Sequence, residues 1–219
     1  MKLSILCSDP AHPVMPYLQR WVAENAGRHA ISLVQRKSEL PGGELLFLVS
    51  CREILRAEER AAYRASLVLH ASDLPRGRGW SPHIWEIAGG AGSITLSLLE
   101  AADAVDSGRI WRKLVIPVPQ HALWDEINAR LFAAEIEMID FAVAGFGRID
   151  PVPQADDSDA MVYRRRTPED SRVDPHASLA SQFDKIRVAD PQRFPAFFDL
   201  RGHRYKLILE KIDGPDTAD

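Results

Sequence analysis

The sequence predicts an α/β protein built around a mostly parallel, doubly wound sheet. Two observations carry this reading. Short apolar runs of strand length alternate with helix-period segments over the first 145 residues, and one run, "LLFLVS", is apolar on both faces, as buried parallel strands are. "KLSILC" (2–7) reads as the first strand, and Pro16 then opens a helix whose apolar positions Tyr17, Leu18, Trp21 and Val22 share one face. Asn25 to Gly27 stops that helix. "AISLV" (30–34), "LLFLVS" (45–50) and "SLVLH" (66–70) follow as strands, with "AEERAAYR" (57–64) as a helix between the last two.

The chain then spends two prolines, two glycines and two arginines on "ASDLPRGRGWSP", directly after His70. A short helix, "PHIWEIA", starts at Pro82 and ends at the Gly89-Gly90 pair. "SITLSLLEA" (93–101) and "RIWRKLVI" (109–116) read as strands flanking a loop from Asp103 to Gly108. The longest helical pattern spans 122–144, with Trp124, Ile127, Leu131, Ala134 and Met138 at helical spacing, which marks a core-packing helix. "GFGRIDPVPQADDSDA" is rich in Gly, Pro and Asp and marks a boundary. The expected organisation is therefore a main unit over 1–145, a linker over 146–160, a small C-terminal region over 161–212 and a disordered tail over 213–219. The C-terminal region should hold a helix near Ser178 to Arg187 and a hairpin turning at Arg201-Gly202.

With 219 residues, 46% hydrophobic and 26% charged, and a net charge of -4, the chain has ordinary globular composition. It has no overall electrostatic pull toward nucleic acid or an anionic membrane, so any anion binding must come from local patches. The two cysteines, Cys7 and Cys51, each lie beside an apolar run and read as free buried thiols rather than a disulfide or metal cluster. The apolar stretch of "MKLSILC" is shorter than a secretory core, and no run approaches the roughly 18 apolar residues of a membrane span. A cytoplasmic protein without metal is expected.

Ligands of open parallel α/β sheets bind at the carboxyl ends of the strands, and His70 sits where one such strand ends. Here a resemblance enters. "LHASDLPRGRGWSPHIWEI", followed by "GSITLSLLEAADAVDSGRI", resembles the signature of the folate-dependent formyltransferases: strand, N-x-H, an Arg- and Gly-rich loop, a helix, and a loop ending D-x-G. The likeness covers roughly residues 44–145 well and the whole chain loosely. It implies a Rossmann-like catalytic domain, mostly parallel, with a small C-terminal α+β extension, and 10-formyltetrahydrofolate as formyl donor. "YRRRTPEDSRVDP" and "FDKIRVADPQRFPAFFDLRGHRYKL" resemble the region that follows the catalytic domain in nucleotide-sugar N-formyltransferases, particularly those acting on a UDP-linked 4-amino sugar in pseudaminic acid biosynthesis.

By this resemblance His70 is the catalytic histidine and Asp106 the catalytic aspartate, while the catalytic asparagine position holds Val68. A valine cannot donate to a developing oxyanion, so another donor, such as Ser66 or Ser72, must replace it or activity is reduced or absent. The chemistry suits the residue types. An amine attacking a formyl carbon creates a negatively charged tetrahedral oxygen, and an imidazole can take the amine's proton or stabilise that charge. Taken alone, Asp106 could equally be a turn-former beside Ser107-Gly108.

Arg76, Arg78, Arg165 and Arg166 are the candidate phosphate contacts, the last two within the cluster Arg164 to Arg166, and Trp80 either faces the sugar or plugs the core under its loop. The resemblance places the donor's pterin against Cys51, Ile54 and Leu55 and against Leu99, Ala101 and Val105. The alternatives are formylation of another amine, methionyl-tRNA or glycinamide ribonucleotide, and a non-catalytic protein that binds folate or nucleotide sugar. The mixed-charge C-terminal region speaks against tRNA. The long apolar helix and the hairpin leave a homodimer open.

Overall fold

The computed structural model describes residues 1–155 and 161–212, so the end of the expected linker and the expected disordered tail lie outside the described residues. Its centre is a six-stranded sheet. The strands are β1 (Lys2–Leu6), β2 (Ala30–Val34), β3 (Gly43–Leu48), β4 (Tyr63–His70), β6 (Ser93–Glu100) and β7 (Ile110–Pro117), ordered β2-β1-β3-β4-β6-β7. The first four are parallel, and β6 and β7 run antiparallel at one side. The sheet is thus mostly parallel, as expected. Two short strands, β5 (Arg78–Gly79) and β8 (Val162–Tyr163), pair in parallel outside it.

Two helices cover one face: α1 (Met15–Asn25) and α4 (Trp124–Gly145). Leu3, Ile5, Phe47, Leu67, Leu69 and Leu98 from the strands pack there with Leu18, Trp21, Leu131 and Met138. Alternation along the strands dictates this, because successive side chains point to opposite faces. Trp21 Nε1 donates to Asp140 Oδ1 at 2.7 Å and ties the two helices together. On the other face Leu6, Leu46, Leu48, Leu55 and Tyr63 form a smaller cluster.

One expected helix is cut short. The segment "AEERAAYR" is helical only over α2 (Ala57–Ala61), and Tyr63 already belongs to β4. Tertiary contacts override local propensity here. The Tyr63 ring is buried, its hydroxyl donates to Ser4 Oγ at 2.9 Å, and it accepts the Gly42 N–H at 3.1 Å. A helical Tyr63 would forfeit that burial and both bonds.

The C-terminal region has α5 (Leu179–Arg187) and the antiparallel hairpin β9 (Ala196–Leu200) and β10 (His203–Leu207), turning at Arg201-Gly202 as expected. Val173, Ile186, Ala189 and Ala196 form its own cluster. Arg187, only 1% exposed, bonds the carbonyls of Pro119 and Ala122 just before α4, and Val188 enters the main core. Cys7 and Cys51 are free thiols, and no helix among the described residues is long and apolar enough to cross a membrane.

Candidate active site

His70 ends β4, on the same strand face as Ser66 and Val68. Its ring is nearly closed off from solvent, bonded on one side and facing a carboxylate on the other. Nε2 lies 2.9 Å from the Gly77 carbonyl, and Nδ1 lies 3.5 Å from Asp106 Oδ1. A carbonyl only accepts, so Nε2 must carry a hydrogen, and Nδ1 is the nitrogen left to take up a proton in front of a carboxylate.

Asp106 reaches this point through backbone geometry that the sequence does not advertise. Its φ is +56°, a left-handed conformation in the turn between β6 and β7. The turn closes tightly, since a Cβ at Gly108 would stand 1.8 Å from the Glu100 carbonyl oxygen. Asp106 Oδ2 accepts the Gly79 N–H at 3.1 Å, which leaves Oδ1 facing the imidazole. The two residues, 36 positions apart in the chain, converge with side-chain exposures of 9% and 7%.

Gln154 was not singled out by the sequence, yet it pins this turn. Its Nε2 donates to the carbonyls of Asp106 and Gly108, both at 2.8 Å, and its Oε1 accepts from Arg78 at 3.3 Å. Gln154 also lines a cavity of about 480 Å³ with Asp73, Pro75, Arg76 and Lys113. Its only sequence signal was a position in a Pro-rich stretch expected to be linker.

The loop after His70 is strapped to the C-terminal region. Gly77 N–H donates to the Met161 carbonyl, Trp80 N–H to that of Tyr163, and Arg78 and Gly79 pair with Val162 and Tyr163. Gly79 is required at its place: φ is +97°, and a Cβ would lie 2.3 Å from the Tyr163 oxygen.

The five candidate phosphate and sugar contacts separate into two groups. Arg76 is exposed and paired with Asp73 at 2.8 Å, and Arg78 is half-buried toward Gln154. Trp80 does not plug the core. It stands 43% exposed with the Arg165 guanidinium 5.2 Å from its ring centre, because the strap to residues 161–163 lifts the loop off the sheet. Arg166 bonds Ser171 and lies over Trp85 at 5.7 Å, while Arg164 is consumed by a bidentate pair with Asp170. Burial moves the Arg166 guanidinium below its usual range.

His83, from α3 (Pro82–Ala88), was also missed. Burial, and the nearby charges of His70, His12 and Arg166, push its imidazole down to about 3, so it is neutral at neutral pH. Its Nδ1, with Ser66 Oγ, Ser72 Oγ, Arg78 Nε and Arg166 Nε, is buried without a partner among the described residues.

Of the residues expected to hold a pterin, Leu55 belongs to the smaller apolar cluster, and Cys51 and Ala101 pack against it, joined by Val68, which was not among those expected. Leu99 is fully buried in register with Val68. Ile54 and Val105 stand apart, 68% and 59% exposed, at the rim. The wall formed by Cys51, Leu55, Val68 and Ala101 is apolar and suits one face of a flat ring. No group of residues suited to a metal occurs among the described residues.

This arrangement, with its mixed sheet order and the histidine at the mouth, is the fold of the formyltransferases. The chain superposes on methionyl-tRNA formyltransferase from Clostridium thermocellum with a TM-score of 0.78 and 25% identity, over 93% of this chain and 90% of that one. HypX from Aquifex aeolicus in complex with tetrahydrofolic acid (TM-score 0.76, 21% identity, 93% and 36% covered) and a sugar N-formyltransferase from Shewanella sp. (0.70, 15%, 97% and 99%) share the fold. In sequence, the chain is 30% identical over 177 residues to methionyl-tRNA formyltransferase of Sorangium cellulosum (strain So ce56), covering 78% of this chain and 56% of that protein. The chain thus spans about half the length of this curated relative. No family model matches.

Proposed function

We propose that this chain is an enzyme that moves a formyl group from 10-formyltetrahydrofolate to the 4-amino group of a nucleotide-linked, UDP-type amino-deoxy sugar, as in pseudaminic acid or surface glycan biosynthesis. The observation that carries the transferase reading is the convergence of His70 and Asp106, closed beneath the Gly77–Trp80 strap. In this reading His70 Nδ1 receives the proton of the attacking amine. Asp106 Oδ1 then faces the imidazolium charge at 3.5 Å, while the Nε2 bond to Gly77 keeps the ring from turning. The Cys51, Leu55, Val68 and Ala101 wall would hold the pterin ring of 10-formyltetrahydrofolate, whose N10 would supply the formyl group and, as its bond to the formyl carbon breaks, take the proton that His70 Nδ1 received from the amine.

Val68 leaves the usual oxyanion donor missing, and the hydroxyls of Ser66 and Ser72, unpartnered among the described residues, flank His70 in sequence on either side. One of them supplies the hydrogen bond that the asparagine would make. The sugar nucleotide is supported by the "RRTPED" resemblance and by the Trp80–Arg165 and Trp85–Arg166 stacks beside the strap, which offer flat aromatic faces together with guanidinium forks. A second reading, formylation of methionyl-tRNA, is favoured by the names of two of the similar proteins above.

The test is direct. Purified protein is incubated with 10-formyltetrahydrofolate and, separately, UDP- and dTDP-linked 4-amino sugars or methionyl-tRNA, and formylated product is read by mass spectrometry. A formylated UDP sugar is expected, with His70→Asn lowering turnover by about 10²–10⁴-fold. Formylation of methionyl-tRNA alone would replace the sugar reading, and a near-wild-type rate in His70→Asn would remove the imidazole from the mechanism.

A further inference from the structure

Beyond the strap, a second cavity of about 350 Å³ opens between the 3-10 turn at Pro168 and the β9–β10 hairpin. Its floor is apolar, made by Phe194, Phe197, Pro168 and Pro195, and its rim is cationic, made by Arg193, Arg204 and Lys206. No carboxylate lines it among the described residues. Phe194 stands 44% exposed, and the Phe197 ring carries the Arg204 guanidinium 4.3 Å from its centre.

The three cations differ in their commitments. Arg193 bonds Asp9 at 2.5 Å, and Arg204 pairs with Asp199 at 2.8 Å. Lys206 has no carboxylate partner among the described residues, although it sits on a hairpin thick with ion pairs. In a chain of net charge -4 this is a local surplus of positive charge over an aromatic floor. The exposed Phe194 ring calls for a flat ring, and the Lys206 ammonium beside it, without a carboxylate partner among the described residues, calls for an anion. The volume is near the lower end of small-molecule sites, about 300–1,000 Å³, enough for one ring with its anionic group.

Its place in the fold points to a reactant rather than a remote effector. Asp9, which Arg193 grips, follows β1 at the carboxyl edge of the sheet, and Arg52, just beyond β3, reaches the same carboxylate at 3.5 Å. The cavity therefore belongs to the same edge of the sheet as His70.

We propose that this cavity binds an aromatic or heteroaromatic ring bearing an anionic group, the far end of a reactant whose other end lies at His70. The link to His70 rests on the transferase reading above. Two sources share this chemistry: the base and phosphate of a nucleotide-linked acceptor, and the p-aminobenzoyl-glutamate end of the folate donor.

Isothermal titration of the full chain with UDP and, separately, with p-aminobenzoyl-glutamate tests the proposal and tells the sources apart. The variants are Phe194→Ala and Lys206→Glu, with Arg28→Glu as a remote charge-reversal control. One of the two probes is expected to bind wild type and Arg28→Glu alike, and to bind each cavity variant about tenfold or more weakly. Equal affinity in wild type and both cavity variants overturns the proposal, as does no binding of either probe at millimolar concentration. A change in sedimentation behaviour of the variants without loss of affinity also overturns it and makes the face a contact between copies. The titration contains no formyl group, so its failure is separate from that of the transferase reading. Variant-insensitive binding beside normal formylation sinks only the cavity, and variant-sensitive binding without formylation sinks only the transfer.

Discussion

Replacing Glu135 with glutamine should change how stability depends on pH. Glu135 lies in α4, 5% exposed, and its Oε2 is buried without a partner among the described residues. Burial alone drives its carboxyl up to about 8 from an ordinary 4.5. The folded chain thus holds a proton there that the unfolded chain has released, so stability falls as pH rises from about 4.5 to about 8. His12 and His83 act oppositely. Burial lowers them to about 4 and about 3, so the unfolded chain binds their protons first and stability falls as pH drops below 6.5. The three groups together place the maximum near pH 6.5. From there to pH 8 the Glu135 contribution covers about 1.5 pH units, at about 1.4 kcal/mol each, or about 2 kcal/mol. Urea unfolding followed by tryptophan fluorescence at pH 6.5 and 8.5 should show wild type losing about that much and Glu135→Gln losing little. An equal loss in both proteins, or none in wild type, would refute the assignment of a protonated buried carboxyl.

Two further perturbations probe the frame around the site. Tyr63→Phe removes a hydroxyl that bonds Ser4 and Gly42, and should cost about 1–3 kcal/mol in urea unfolding by leaving the Gly42 N–H without its acceptor. Gly79→Ala puts a methyl where only 2.3 Å separates it from the Tyr163 oxygen, at a φ of +97°. It should lower the melting temperature through strain of about 1–3 kcal/mol, and loosen the N–H that holds Asp106. Amide exchange at residues 77–80 faster than wild type would register that release, and unchanged exchange would count against the strap.

Much of the fold was legible because its cause is local. The apolar runs at 2–7, 45–50 and 66–70 mark strands buried between layers, and the helix of 124–145 announces itself by its period. His70 was legible because it closes a buried strand before a loop of unusual composition. Tyr63 was not, since its strand conformation is decided by Ser4 and Gly42, which lie far away in sequence. Trp80 stayed open between sugar and core for the same kind of reason: an indole beside a core strand suits either, and its exposure is decided by the bond to Tyr163, far away in sequence.

The residue order by itself thus determined the layers and most of the elements, and placed His70 at the end of a buried strand, while Asp106 was singled out only through the family resemblance. Only the tertiary structure decided that Asp106 turns its Oδ1 toward His70, that Gln154 pins the turn behind it, and that half-buried His83 and buried Glu135 are neutral at neutral pH. Periodicity records which face of an element is buried. Hydrogen-bond partners and desolvation depend on which distant segments meet, and that is written in no single stretch of the chain.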